Sequence, residues 1–392
     1  MNGITIIKSN GGVAKSLPGE DHYSGLMMYL ANANLPSGFS TTDRIKVIST
    51  VAAAEALGIT SDSANLEIKM LHYHLSECFR VNPSIVLHVG LFLTPVSTYD
   101  FVEIKTMQNY AEGKLRQIAV WCREKALVSG ELTTLQGIAT TLDSEFNPIQ
   151  ILYIPKIAAI SGLSTTMVST GLRNVSVVIG QDGDGLGNTL FTDVANSSDW
   201  SVGLAGLAIG ILALSKVHES IAWVEAFPSG ISTPAFSDGT LYKNCDAAVI
   251  AALDAKHYLF LRTQGGMSGS WFNDSYTMDL NTSDYTYIEA NRSMDKAIRG
   301  IRTYLVPKLS GPIYLDPSTG QLNPDDVAYL EVIAGKQLED MQKNKELSGY
   351  KVTIDPTQNV LSTSEIEFVV QKVGVGVMRS FKVTIKNTTQ IS

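Results

Sequence analysis

Between about residue 45 and residue 262, short apolar runs alternate with stretches whose apolar residues recur at helical spacing. The runs Ile45–Ile48, Ile85–Phe92, Gln117–Trp121, Ile149–Ile154 and Val175–Ile179 have the length and apolar density of buried strands. Helices are predicted over Val51–Leu57, from an opening at Ser63-Ala-Asn-Leu66 to about Arg80, and over Phe101–Glu112, Leu132–Leu142, Thr165–Leu172 and Ser201–Ser215. Tyr258–Arg262 is expected to complete the layer. Buried strands alternating with helices of this kind predict an α/β class, a mixed or parallel sheet covered on both faces.

The chain ends read differently. Ile4–Lys8, with Ile4 and Ile6 on one face, reads as a short strand closed by Asn10-Gly11-Gly12, and Leu17-Pro18-Gly19 falls in a linker. Beyond Gly265 the elements lengthen. Ser283-Asp284 is expected to cap a helix reaching Leu305. Asn323-Pro324-Asp325-Asp326 places Asn at the N-cap, Pro at the first turn and acids at the positive end of the dipole, so a second helix should run from there to about Leu347. Strands follow at Tyr350–Ile354 and Glu365–Gln371, the latter including Phe368 and Val370. The close alternates strictly: Phe381, Val383 and Ile385 on one face, Lys382, Thr384 and Lys386 on the other. Such a strand either finishes its own sheet or enters another chain's sheet, and the pattern leaves both open. The expected division is 1–25 for an arm and linker, 26–264 for α/β middle domains and 265–392 for a carboxy-terminal domain. The whole is α+β.

Composition narrows the function. With 44% hydrophobic and 17% charged residues, the 392-residue chain has the make-up of an ordered globular protein of more than one domain. A net charge of −8 argues against nucleic acid as a general partner. Three scattered cysteines form no disulfide framework. The most apolar window, Val202–Leu214, falls short of the ~20 residues needed to cross a bilayer. It reads as a buried helix packed through Gly206 and Gly210, and no membrane insertion is expected.

Candidate chemistry is thin. The loop 180–187, Gly180-Gln-Asp182-Gly183-Asp184-Gly185-Leu186-Gly187, follows a strand and could cradle an anion, as an α/β enzyme or ligand-binding protein would require. Its glycines do not fit the dinucleotide fingerprint or a P-loop, and Leu186 spoils a calcium loop. His72 and His74 would project about 200° apart on their helix, leaving His74 and Cys78 as a weak metal pair. Ser268 lies in a glycine-rich turn one residue out of step with a nucleophile elbow. No catalytic, cofactor or metal set is assigned. On the helix before Leu305, Tyr287, Asn291, Met294, Ile298, Ile301 and Leu305 form the expected core stripe. Arg292, Lys296 and Arg299, with Arg302 close by, form a basic stripe that either faces solvent or meets an acidic partner.

The stretch Ser283-Asp-Tyr-Thr-Tyr-Ile-Glu-Ala-Asn-Arg292-Ser-Met-Asp-Lys-Ala-Ile-Arg-Gly-Ile-Arg302, then Leu347-Ser-Gly-Tyr350-Lys-Val-Thr-Ile-Asp-Pro-Thr-Gln-Asn359-Val, then two alternating strands, resembles the tail sheath proteins of contractile phages and phage-tail-like injection particles. The likeness covers roughly 265–392 and the amino-terminal strand; Ile313-Tyr-Leu-Asp-Pro317 stands where many sheaths have another strand. The resemblance implies a structural subunit, not an enzyme. Such a subunit self-assembles as stacked rings around an inner tube, with baseplate and tail-terminator or cap proteins as further partners. It is assembled in the bacterial cytoplasm and contracts to drive the tube through an envelope. It also implies a terminal assembly domain built from both chain ends, in which Ile4, Ile6, Phe368, Val370, Phe381, Val383 and Ile385 join strands exchanged between subunits. The basic stripe Arg292, Lys296, Arg299 and Arg302 is then the candidate for touching the tube.

Overall fold

A computed structural model describes residues 20–385, apart from 97, 164–165 and 197–199, together with 387. The expected strand at Ile4–Lys8 lies outside the described residues.

Among the described residues the first strand belongs to the main sheet. β1 (Ser24–Leu30) is followed by β2 (Ile45–Ile48), α1 (Val51–Ala56), α2 (Leu66–Val81), β3 (Leu87–Leu93), α3 (Glu103–Tyr110), β4 (Gln117–Ala126), α4 (Ser129–Ser144), β5 (Gln150–Lys156) and β6 (Val175–Val177). The six strands form one sheet in the order β2-β3-β1-β4-β5-β6. It is parallel except at β2, which runs antiparallel to β3. Beyond β6, Ile179 donates its amide to the Leu259 carbonyl and Leu259 donates to Val177, so 258–260 extends the layer. Alternation divides the side chains between two cores. Leu26, Met28, Leu30, Trp121 and Ile154 point to one face, Met27, Tyr29, Val120, Ile151 and Tyr153 to the other.

β1 is central to this sheet yet was not expected. Its Leu-Met-Met run is helix-prone in isolation, and its neighbours β3 and β4 come from far along the chain. The expected boundary at 25/26 thus falls inside the central strand.

The sheet's outer layers follow from composition. β7 (Gly180–Asp182) leads into α5 (Leu186–Phe191) and then α6 (Ala205–Leu214), which is apolar all round and buried between α2 and the sheet. A Cβ on Gly206 would lie 1.8 Å from the His74 carbonyl oxygen, so glycine there sets how closely α6 and α2 approach. Among the described residues no helix is long and apolar enough to cross a membrane. The chain continues through β8 (Pro234–Phe236, paired with β7), α7 (Ala247–Asp254), β9 (Leu261–Arg262) and β10 (Trp271–Phe272). β9 pairs with β10 across the expected 264/265 boundary. No helix forms over 166–172. There Ser169 and Gly171 give their amides to the Met278 carbonyl and the Asp279 carboxylate, and Gly171 sits at positive φ.

The carboxy-terminal layer consists of α8 (Ile288–Leu305), α9 (Pro324–Lys343), β11 (Gly349–Ile354), α10 (Val360–Thr363) and β12 (Phe368–Val373). Asn323 caps α9 through the Asp325 amide as expected. The helix ends four residues early, where Lys345 takes positive φ and Glu346 donates back to the Met341 carbonyl. α8 begins later than expected, because residues 283–286 are used in turns on Asp279 and Leu280. Its packed face departs from the expected stripe at Ile298, which is 43% exposed, whereas Asn291 is buried, Ile301 packs with Ala297 in the core shared with α9, and Gly300 faces Gln337. A Cβ on Gly300 would lie 1.9 Å from Gln337, so the crossing point needs a residue without a side chain and rotates Ile298 outward. Leu338, Met341 and Leu347 complete this small core, with Tyr350 and Val352 of β11 against it.

Candidate assembly interface

The end of the chain is where this fold is incomplete. β11 and β12 form a two-stranded antiparallel hairpin, register Ile354↔Phe368 to Gly349↔Val373, with no third strand among the described residues. A two-stranded ribbon is marginal by itself. Here α9 supports β11, and Phe368 is half-buried. Val369, Val370 and Val373 remain open to solvent.

After β12 the described residues form no further strand and make no β-pairing, so the closing strand expected at 381–385 is not formed within the single chain. The alternating face expected from the sequence is present but unburied: Phe381 is 79% exposed, Val383 77% and Ile385 86%. Met378 is as open. Four large apolar side chains standing off the body in one short segment have no counterpart in a self-sufficient surface.

The segment is nevertheless fastened at one point. The Arg379 Nε donates to both Asp274 carboxylate oxygens at 3.0 and 3.1 Å, and its Nη2 donates to Glu289 Oε1 at 2.5 Å and to Ser275 Oγ at 3.3 Å. Its guanidinium lies 3.4 Å above the Tyr287 ring centroid. Glu289, in the first turn of α8, is buried, and burial pushes its carboxyl up against the opposing pull of Arg379. No periodicity or motif in the sequence singles out Arg379. The available signal was a lone cation inside the apolar run Val377–Phe381.

The basic stripe of α8 is engaged within the chain. Arg292 is 4% exposed and donates to Ser215 Oγ at 2.8 Å and to the Ser215 and Lys216 carbonyls at 3.1 and 3.3 Å. Burial lowers its pKa to about 10. Lys296 pairs with Asp21 at 2.7 Å and with Glu346 at 2.8 Å, and Arg299 pairs with Asp21 at 2.5 Å. Burial would raise the Asp21 pKa, but the two cations hold it below its ordinary value. Arg302 is exposed, its guanidinium 3.5 Å above the Phe146 ring. In the single chain the stripe is therefore an internal ion knot plus one outward arginine.

The glycine loop 180–187 is also accounted for internally. The Asp182 carboxylate accepts from the amides of Asp184, Gly185 and Gly187 at 3.3, 2.9 and 3.1 Å. Those are the amides a bound phosphate would need, and a carboxylate of the chain already occupies them. Asp184 accepts from Thr233 Oγ1 instead of facing an ion. His72 contacts Glu55, whereas His74 is fully buried edge-on to Trp121, with its pKa lowered to about 3 by burial. Burial raises the Cys78 thiol to about 12. Ser268 sits in an exposed turn. No group of three or more metal-ligating side chains occurs among the described residues.

Two family models match the chain in order: DUF2586, N-terminal domain, over residues 160–276 and DUF2586, C-terminal domain, over residues 284–392. No curated protein matches the sequence. Among solved structures, a chain of the anti-feeding prophage (AFP) baseplate is 13% identical with a TM-score of 0.62, covering 99% of each chain. The PVC sheath complex of an extracellular contractile injection system, in its contracted state, gives 12% identity and a TM-score of 0.61 over 99% of this chain and 98% of that one. The sheath tail protein of Desulfitobacterium hafniense gives 12% identity and 0.51 over 95% and 100%. The two domain models together take in more than half of the chain. The chain belongs to the DUF2586 family, and its fold is that of the contractile tail sheath proteins.

Proposed function

We propose that the protein is a structural sheath subunit that polymerises with copies of itself around an inner tube and shortens to drive that tube through a target envelope. One observation carries the reading: a chain whose fold matches the sheath proteins over 99% of its length leaves an apolar segment of alternating pattern exposed next to an unfinished hairpin. Donating Phe381–Ile385 to a neighbour would gain several backbone hydrogen bonds of ~1 kcal/mol net each. Burying Phe381, Val383 and Ile385 adds on the order of 1.5–3 kcal/mol apiece. The ribbon β11–β12 is the natural acceptor, since Val369 and Val373 lie open on it. Ile4 and Ile6 would enter the same kind of exchange from the other end of the chain. The further partners are an inner tube protein, a baseplate and a terminator or cap. Arg302 is the member of the basic stripe with surface to offer a tube.

The competing reading, an enzyme or ligand-binding protein using loop 180–187, loses its binding groups to Asp182. Negative-stain microscopy of the purified protein tests the proposal: hollow cylinders are expected, and a preparation that stays as discrete monomers at high concentration would count against it.

A further inference from the structure

Both described ends of the chain are tied to one helix. Asp21, just ahead of β1, is held by Lys296 and Arg299 in the middle of α8, and Arg379, just ahead of the exposed apolar segment, is held by Glu289 in its first turn. Between β12 and Arg379 lie the five residues Gly374–Met378, with Gly374 and Gly376 at positions where an added Cβ would meet nothing. The stretch forms one wall of a groove of about 530 Å³ over α8, lined also by Tyr285, Tyr287, Ser293 and Lys372. β12 therefore continues into a connecting stretch along α8, that stretch into a clamp, and the clamp into the alternating apolar segment.

We propose that α8 is the common post for both arms, and that Arg379 fixes the point from which the carboxy-terminal arm leaves the body. This rests on the reading of the chain as a subunit that donates its end. A strand donated from a fixed point sets the distance between neighbours; one donated from the end of β12 does not. Released from Arg379, the arm would gain up to about 20 Å of reach, six residue steps from Val373 to Arg379 at roughly 3.3 Å each. Tension on the arm is taken by charge-assisted hydrogen bonds to α8 and to Asp274 rather than by the hairpin. The contacts described for Arg379 are to the chain's own body, and contacts of that kind can persist while those between subunits are remade.

The test compares wild type, Arg379→Ala, and Arg379→Met combined with Glu289→Gln, which removes the clamp with one buried carboxylate fewer left unpaired. Hydrogen exchange on dissociated subunits reads the clamp directly. The amides at the start of α8, where Ile288 donates to the Ser275 carbonyl and Ala290 and Asn291 to the Tyr287 carbonyl, should exchange at least tenfold faster in both variants, while those of 374–385, which donate no hydrogen bond to a described residue of the free subunit, exchange fast in all three. Electron microscopy of assembled material reads the consequence: the variants should still form cylinders, with variable subunit spacing in place of one helical lattice. Lattice order and exchange equal to wild type in the double variant would overturn the clamp. Absence of cylinders from wild type itself would count against the sheath reading and would leave the exchange result to judge the clamp alone.

Discussion

The ion knot on α8 allows a decisive perturbation. Asp21→Asn removes one carboxylate that two cations share, at 2.7 Å from Lys296 and 2.5 Å from Arg299. Side-chain exposure at the knot is 12% for Asp21, 19% for Lys296 and 17% for Arg299. Solvent thus screens these pairs far less than a surface pair, whose net value is about 0–1 kcal/mol. Breaking a fully buried pair costs about 3–5 kcal/mol. Lys296 retains Glu346, and Arg299 retains Asp295, whose carboxyl burial pushes up to about 7 and which is therefore a partial counterion at neutral pH, so a loss of about 2–3 kcal/mol is expected. Urea unfolding at neutral pH on dissociated subunits measures it as a lower midpoint with an unchanged slope. Arg299→Gln should lose a similar amount. The double variant should lose less than the sum of the two by about 1–2 kcal/mol, since the second substitution removes a charge already stranded. The pH dependence has a definite sign. The Asp21 carboxyl is held below its ordinary value of 3.8, so its contribution is present above that value and fades as pH falls through the folded-state value. Wild type and Asp21→Asn should therefore converge in acid. If the substitutions prove additive within about 0.5 kcal/mol, or if Asp21→Asn leaves stability intact while strengthening binding to an acidic tube surface, the knot is not structural and the stripe faces a partner after all.

Other outcomes follow from single contacts. Gly206→Ala should destabilise by more than the ~1–3 kcal/mol usual for overpacking, because its Cβ would meet the His74 carbonyl oxygen at 1.8 Å; a thermal shift within 1 °C of wild type would refute the close approach of α6 and α2. Burial, with Asp143 adding to it against Arg299, pushes the Asp295 carboxyl up to about 7. A raised carboxylate favours folding at low pH and loses that advantage as pH rises from about 4 through 7, so Asp295→Asn should gain stability relative to wild type at pH 8 and little at pH 4. Val383→Asp should leave the unfolding midpoint of the free subunit unchanged, because Val383 is 77% exposed, and should abolish cylinders in the microscope. Arg302→Glu should likewise spare folding, the ring contact to Phe146 being at the surface, and should weaken association with the tube; normal sheathed tubes would remove Arg302 from that role.

The local patterns carried a good deal. Ile45–Ile48 has the expected bounds, Asn323 caps the expected helix, and the alternation of Phe381, Val383 and Ile385 is visible without a partner. These depend on side-chain period and cap chemistry, which neighbouring residues settle among themselves. Three decisions needed the folded chain. Ser24–Leu30 became the central strand because β3 and β4 close on it from 57 or more residues away, overriding a helix-prone composition. The basic residues of α8 turned inward because Asp21 and Glu346 arrive from opposite ends of the sequence to meet them. Arg379 became a clamp because Asp274 and Glu289 are placed together by a turn and a helix start that no periodicity links to it. Charge along a chain is known from its letters, but whether that charge faces solvent, a partner or its own counterion depends on which distant segments the fold brings within about 4 Å.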